Sequence, residues 1–305
     1  MSLERFFTPY QADTRLPGDV VAVLAPHPDD EVFGCGGTLH ALAAAGAELH
    51  IAVISDGAGL GQDAALARQR RAESCEAARC LGYPPPEFWE LPDARLYEHP
   101  ALQPRIDAWL AEVQPTLLLA PSIWEMHRDH RAVAEAALSS EQRPAHCRVA
   151  LYEVGQPLQP NRLVDITAQR EAKQRAMRCF ASQLAVQAYD RHISGLNAFR
   201  TYTLPIDILA AEAFCLLEPE EVAPFLASRQ PQAITRVVHE AERAEQATAH
   251  RQEALEAELR ELRGDNTRLA ERCRDLEAMQ RAIQQSRSWQ LTRPLRWLAE
   301  RWRGN

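Results

Sequence analysis

Apolar residues along this chain fall first into short unbroken runs and later into a regular heptad. Val20-Val21-Ala22-Val23-Leu24, Leu49-His50-Ile51-Ala52-Val53-Ile54 and Thr116-Leu117-Leu118-Leu119-Ala120 show no alternation. That is the pattern of strands buried on both faces of a parallel sheet. Phe88 to Leu91 and Arg148 to Val154 read as further strands. Between them, residues 62–81, Ala101 to Val113, Arg131 to about Leu138, Glu171 to about Gln187 and residues 207–217 read as helices. An Ala/Leu-rich helix ending near Ala45 follows the glycine-rich run Gly34-Cys35-Gly36-Gly37-Thr38, which reads as a turn packed on the loop before it. Alternating strand and helix predicts a three-layer, Rossmann-like α/β sandwich around a mostly parallel sheet. The glycines do not make a dinucleotide fingerprint, since Leu39 stands where the last glycine of G-x-G-x-x-G would fall.

The pattern changes near Pro231. No proline follows until Pro294, and Gly264 is the one glycine before Gly304. Leu255, Leu262, Leu269, Leu276 and Ile283 recur every seven residues, with Leu259, Asn266, Cys273 and Gln280 at the complementary positions. This predicts a C-terminal coiled coil with leucine at d and a partly polar a seam, where one Asn fixes register. Three segments follow: 1–230 an enzyme-like domain, 231–285 a coiled-coil helix, and 286–305 a tail interleaving five arginines and three tryptophans with leucines. Such a tail suits a membrane interface or a docking partner. A homo-oligomer through the coil is expected, with peripheral attachment to membrane or to a glycan-assembly partner.

Overall charge narrows the functions. A formal net charge of -8 and a pI near 5.7 argue against general nucleic-acid binding. The seven cysteines are scattered, with no C-x-x-C pair, so no disulfide framework or cysteine zinc site is expected. Met1 to Gly18 lacks the apolar core of a signal peptide, and no stretch has the length of a membrane span. The expected location is cytoplasmic, with the inner face of the membrane as the place of any peripheral attachment.

The chemistry gathers at two strand ends. Val20–Leu24 runs into Ala25-Pro26-His27-Pro28-Asp29-Asp30-Glu31, and Thr116–Ala120 runs towards His127-Arg128-Asp129-His130. In open α/β sheets ligands bind beyond the carboxyl ends of strands, so the two segments can converge on one site. His27, Asp30 and His130 make a two-histidine, one-carboxylate set, which leaves a catalytic metal an open position. The set suits zinc and also ferrous iron. Asp29 stands beside a ligand as a base. His127 is placed to stabilise charge or supply a proton, and Asp129 to orient a histidine.

At these residues the sequence resembles the PIG-L/LmbE family of metal-dependent N-deacetylases. His27-Pro28-Asp29-Asp30-Glu31 matches its first motif and continues through Gly34-Cys35-Gly36-Gly37-Thr38. His127-Arg128-Asp129-His130 matches its second, with Arg128 where proline is common. Arg70-Arg71-Ala72-Glu73, Pro92-Asp93 and Val164-Asp165-Ile166 before Lys173 are also similar. The resemblance spans about residues 18–217. It implies His27, Asp30 and His130 as metal ligands, Asp29 as general base, His127 as transition-state stabiliser, and Arg70 and Asp93 as sugar contacts. It implies removal of acetyl from an N-acetylglucosamine-type unit in a glycolipid, nucleotide-linked or surface-glycan precursor. Two alternatives stand beside it: a metal-dependent amidase on another small conjugate, such as a thiol cofactor precursor or antibiotic, and a non-enzymatic coiled-coil scaffold in glycan assembly.

Overall fold

The computed structural model describes residues 8–59, 63–228, 233–287 and 291. It divides into two units, Met1–Gln230 and Pro231–Asn305.

The first unit is an α/β sandwich. Its strands are β1 (Val20–Ala25), β2 (Glu48–Ser55), β3 (Glu87–Leu91), β4 (Leu117–Pro121), β5 (Arg148–Tyr152), β6 (Arg162–Asp165) and β7 (Ala211–Leu217). They form one sheet in the order β3-β2-β1-β4-β5-β7-β6. β1 to β5 pair in parallel, and β7 runs antiparallel to both its neighbours. The helices are α1 (Asp30–Ala44), α2 (Ala64–Leu81), α3 (Leu102–Val113), α4 (Arg128–Ser139), α5 (Arg170–Met177), α6 (Ala181–Leu184), α7 (Tyr189–Phe199) and α8 (Pro219–Ser228). Two apolar layers separate sheet from helices. One joins Val21, Val23 and Leu119 to Leu39 of α1, Ala77 of α2 and Ala176 of α5. The other joins Ala22, Leu24 and Leu118 to Ile106 of α3, Val133 of α4 and Val222 of α8. The expected three-layer sandwich is therefore present, and its central strands are buried on both faces as their composition required.

Four local expectations are corrected. Residues 207–217 hold no helix; Ala211–Leu217 is a strand with every residue buried. A short apolar run has no period that separates strand from helix, and pairing with two strands decides it. The helix expected over Glu171 to Gln187 breaks after Met177, because Phe180 turns fully inward and packs on Phe33 with ring centroids 5.6 Å apart. The glycine run is not a turn. It lies inside α1, which kinks at Cys35 (φ -137°, ψ 20°). The kink frees two backbone donors, and the Gly37 and Thr38 N–H groups donate to buried Glu212 of β7 at 2.8 and 2.7 Å. Finally, α4 begins at Arg128, so His130 stands in a first helical turn rather than a loop.

The second unit contains α9 (Ala233–Gln285), a helix of 53 residues. At 1.5 Å per residue it is about 80 Å long. Its heptad leucines are exposed along its described length. The basic tail expected over 286–305 lies outside the described residues except Ser286, Arg287 and Leu291. None of the described helices is long and apolar enough to cross a membrane.

Candidate metal centre and catalytic cleft

The chain leaves β1 towards β2 and β3 on one side, then returns through β4 to build the other side. The gap beyond the carboxyl ends of β1 and β4 is thus the topological switch point, where an α/β sheet opens a crevice. Both sequence motifs end there. The β1–α1 connection and the first turn of α1 carry His27, Asp29 and Asp30, and the β4–α4 connection and the first turn of α4 carry His127, Asp129 and His130.

Three atoms meet at the centre. His27 Nδ1 lies 3.1 Å from Asp30 Oδ2 and 3.2 Å from His130 Nε2, and His130 Nε2 lies 3.1 Å from Asp30 Oδ2. This is a near-equilateral triangle. Ligands about 2.0–2.1 Å from a tetrahedral ion stand about 3.3 Å apart, so the triangle has the dimensions of one face of such a site. The His27 backbone N–H donates to the same Asp30 oxygen at 2.8 Å and fixes it.

Behind each histidine stands an acceptor. His27 Nε2 faces Asp93 Oδ1 at 3.1 Å and Asp129 Oδ2 at 3.5 Å, while Asp129 Oδ1 accepts the Leu96 N–H at 3.0 Å. His130 Nδ1 faces Glu125 Oε2 at 3.5 Å. Carboxylates in this position orient a ligating imidazole and fix its tautomer. His27, Asp93 and Asp129 also lie close enough to share an ion. The Asp93 oxygens are already committed, however, to the Gly59 and Ala94 N–H groups, and Asp93 faces Arg70. They read as acceptors behind His27. Glu125 was not singled out in the sequence. It is buried, and takes the Val154 and Gly155 N–H groups at 2.7 and 3.1 Å. Its only signal was a charge set between Trp124 and Met126.

The carboxylates govern the protonation of the cluster. Burial lowers the His27 pKa, but Asp129, Asp30 and Asp93 outweigh it and hold the group well above the usual histidine value. His130 is likewise raised to about 9, burial opposing and Asp30 and Glu125 prevailing. Against their burial, Asp30 is pulled low by His130 and His27, and Asp93 by His27, the Gly59 N–H and Arg70. A nest that draws protons onto two imidazoles draws a divalent cation equally, and the donors are the borderline nitrogen and oxygen types that zinc and ferrous iron accept.

Asp29 sits beside the triangle in a backbone conformation seldom adopted by a residue with a side chain, φ 141° and ψ -27°. Such outliers cost about 1–3 kcal/mol and cluster at active sites. Burial raises its carboxyl to about 7, with the Arg70 charge opposing. Arg70 Nη2 lies 3.2 Å from Asp29 Oδ2 and donates to the Pro28 carbonyl at 3.0 Å, while Nη1 donates to the Gly57 carbonyl at 3.1 Å. Gly57 has φ +64°, and a Cβ there would meet Pro28 and Arg70 within about 3 Å. That glycine is part of the site. Glu31 lies on the inner side, where burial pushes its carboxyl up to about 8 and Ser74 Oγ donates to it.

His127 differs from the rest. It is exposed, caps α4 and takes the Asp129 N–H on Nδ1 at 3.3 Å. Partial desolvation of the ring against the cluster and the charges of His27 and His130 lower its pKa. A neutral imidazole accepting at Nδ1 carries its proton on Nε2. Its ring stands edge-on to His27 at 4.7 Å between centroids.

All eight residues named from the sequence therefore share one crevice. Residues 22–140 match the PIG-L family, described as GlcNAc-PI de-N-acetylase. That match takes in both histidine motifs. It is 28% identical over 195 residues to diacetylchitobiose deacetylase of Thermococcus kodakarensis, covering 56% of this chain and 72% of that protein. The structure of N,N'-diacetylchitobiose deacetylase from Pyrococcus horikoshii superposes with a TM-score of 0.58 and 26% identity, over 67% of this chain and 85% of that one. A conserved protein from Thermus thermophilus gives a TM-score of 0.56 and 26% identity, over 64% and 93%. The PIG-L domain and the deacetylase relatives make this protein a metal-dependent N-deacetylase.

Proposed function

We propose that this protein removes the acetyl group from an N-acetylglucosamine-type sugar carried on a glycolipid, a nucleotide or a surface-glycan precursor, with zinc held by His27, Asp30 and His130. The observation that carries the reading is the triangle of Nδ1, Oδ2 and Nε2 with a raised carboxyl, Asp29, beside it. An ion held there supplies Lewis acidity, and ferrous iron suits the same donors. Asp29 takes a proton from the attacking water and returns it to the sugar nitrogen as the C–N bond breaks, giving acetate and a free amine. A carboxyl near pKa 7 suits both transfers. His127 donates its Nε2 proton in a hydrogen bond to the oxygen of the tetrahedral centre, as a neutral imidazole already polarised for that role. Asp129, Asp93 and Glu125 hold the ligating histidines in place, and Arg70 holds Asp29.

Beside Pro28 lies a cleft bordered by Ser55, Asp56, Arg68, Arg71 and Phe88. Arg71 stacks over Phe88 at 4.6 Å, which makes a polar and aromatic floor suited to a sugar ring. In this reading Arg70 and Asp93, both lying deep beside the triangle, act on substrate through Asp29 and His27 more than by touching it. Self-association through α9, and attachment of the basic tail to an anionic membrane or a glycan-assembly partner, would hold the enzyme near a lipid-linked substrate.

Mass spectrometry of N-acetylglucosamine conjugates before and after incubation tests the reading. The expected result is loss of one acetyl group with release of acetate, abolished by a chelator and restored by zinc or ferrous iron. Turnover of other acyl conjugates with none of the acetylated sugars would select the general amidase instead.

A further inference from the structure

The first unit buries its apolar residues on both sides of a sheet, and α9 does the opposite. Leu255, Leu259, Leu262, Leu269, Leu276 and Ile283 are between 47% and 63% exposed. They lie on one stripe of the helix, at heptad positions d and a. Such a stripe over about 40 Å of helix calls for a second helix, and the charges beside it say which one and in what direction.

With Leu255 at d, the flanking g positions are Arg251, Glu258, Asp265 and Arg272, and the e positions are Glu256, Arg263, Ala270 and Glu277. In a parallel, in-register pair each g residue faces the e residue five places on in the partner. Arg251 then faces Glu256, Glu258 faces Arg263, and Arg272 faces Glu277, while Asp265 faces Ala270. Every charged pair is attractive, and each forms twice across the two-fold axis. Sliding one helix by a heptad sets Arg251 against Arg263, Asp265 against Glu277 and Glu258 against Glu256, leaving Asp265 with Arg263 as the one attractive pair.

The seam gives the same answer. In register, the a-position Asn266 meets Asn266 of the second copy, so each amide has a partner, and Cys273 meets Cys273. An antiparallel pair would set each a residue beside a d residue. Asn266 would then meet leucine, and burying its amide unpaired is costly.

We propose that α9 docks on the same helix of a second copy of this chain, as a parallel, in-register two-stranded coiled coil. The inference rests on the self-association proposed above, and adds partner, direction and register to it.

The test uses full-length protein. A short bismaleimide applied under native conditions should give a covalent dimer on a denaturing gel, and Cys273→Ser should abolish it. Sedimentation should show a dimer for both. Glu258→Lys turns two attractive contacts per dimer repulsive and should weaken association about tenfold, since each exposed pair is worth only a fraction of a kcal/mol. Adding Arg263→Glu should restore it. A dimer without Cys273-dependent cross-linking, or one indifferent to the charge swap, overturns the direction and register while leaving self-association standing. A monomer at micromolar concentration overturns both. Deacetylase activity is scored separately, so failure of the coil and failure of the catalytic reading are told apart.

Discussion

The β1–α1 and β4–α4 connections do the same work by different means. Each carries the chain from a strand buried at its carboxyl end into a helix whose first turn supplies a metal-ligand candidate. The first is short and rigid. It holds the outlier Asp29, presses Gly34 against Tyr152, and kinks α1 onto Glu212. The second is longer and more open. Its hold is Arg131, whose guanidinium donates to the Glu125 and Met126 carbonyls at 2.7 Å, and it leaves His127 exposed. The rigid side brings two candidate ligands and the proposed base. The open side brings one candidate ligand and His127, the group proposed to face the substrate. In the proposed reaction, the positions that must be accurate before substrate arrives are packed, and the one assigned to meet substrate is not.

The largest effects should be symmetric between the two connections. Asp30→Ala and His130→Ala should each empty the site and abolish turnover, as measured by emission spectrometry and acetate release. The next effects should separate metal from chemistry. Asp29→Asn should stay loaded and lose about 10²- to 10⁴-fold in kcat, the usual worth of a general base. If Asp29→Asn loses metal while His130→Ala retains it, the assignment is wrong. His127→Ala should keep its metal and lose about 10²- to 10³-fold, as for one oxyanion donor. Loss of metal in that variant would make His127 a ligand, since it lies within 4.8 Å of the other two histidine donors.

Packing variants should break the symmetry. Glu212→Ala strands buried Lys173, whose Nζ lies 2.7 Å from Glu212 Oε1, and also frees the Gly37 and Thr38 donors. Unpairing a buried ion pair costs about 3–5 kcal/mol, to be read from urea denaturation. Gly34→Ala places a Cβ 2.3 Å from Tyr152 Cδ2. Tyr152 is locked by its hydroxyl donating to the Leu24 carbonyl, so overpacking should cost about 1–3 kcal/mol. Equal stability of Gly34→Ala and wild type would show that the first connection is less rigid than described. Glu125→Gln should cost least: about 10- to 100-fold in metal affinity, with little change in folding.

The sequence determined a good deal by itself. Unbroken apolar runs at Val20–Leu24 and Leu117–Ala120 require burial on both faces, and that alone implies a parallel sheet with helices on each side. Two histidine-bearing motifs at the ends of such strands imply one crevice, and His27, Asp30 and His130 do meet there. The seven-residue spacing of leucines along α9 likewise needs no fold to be read. Other features depended on residues distant in sequence. Ala211–Leu217 is a strand because β5 and β6 offer it partners on both edges. The glycine run is helical because Glu212, 175 residues away, accepts the donors freed by its kink. Glu125 matters because the chain sets it behind His130. Local pattern reports which face of an element must be covered. The covering group, and the partner of each buried charge, exist only once distant segments have packed together.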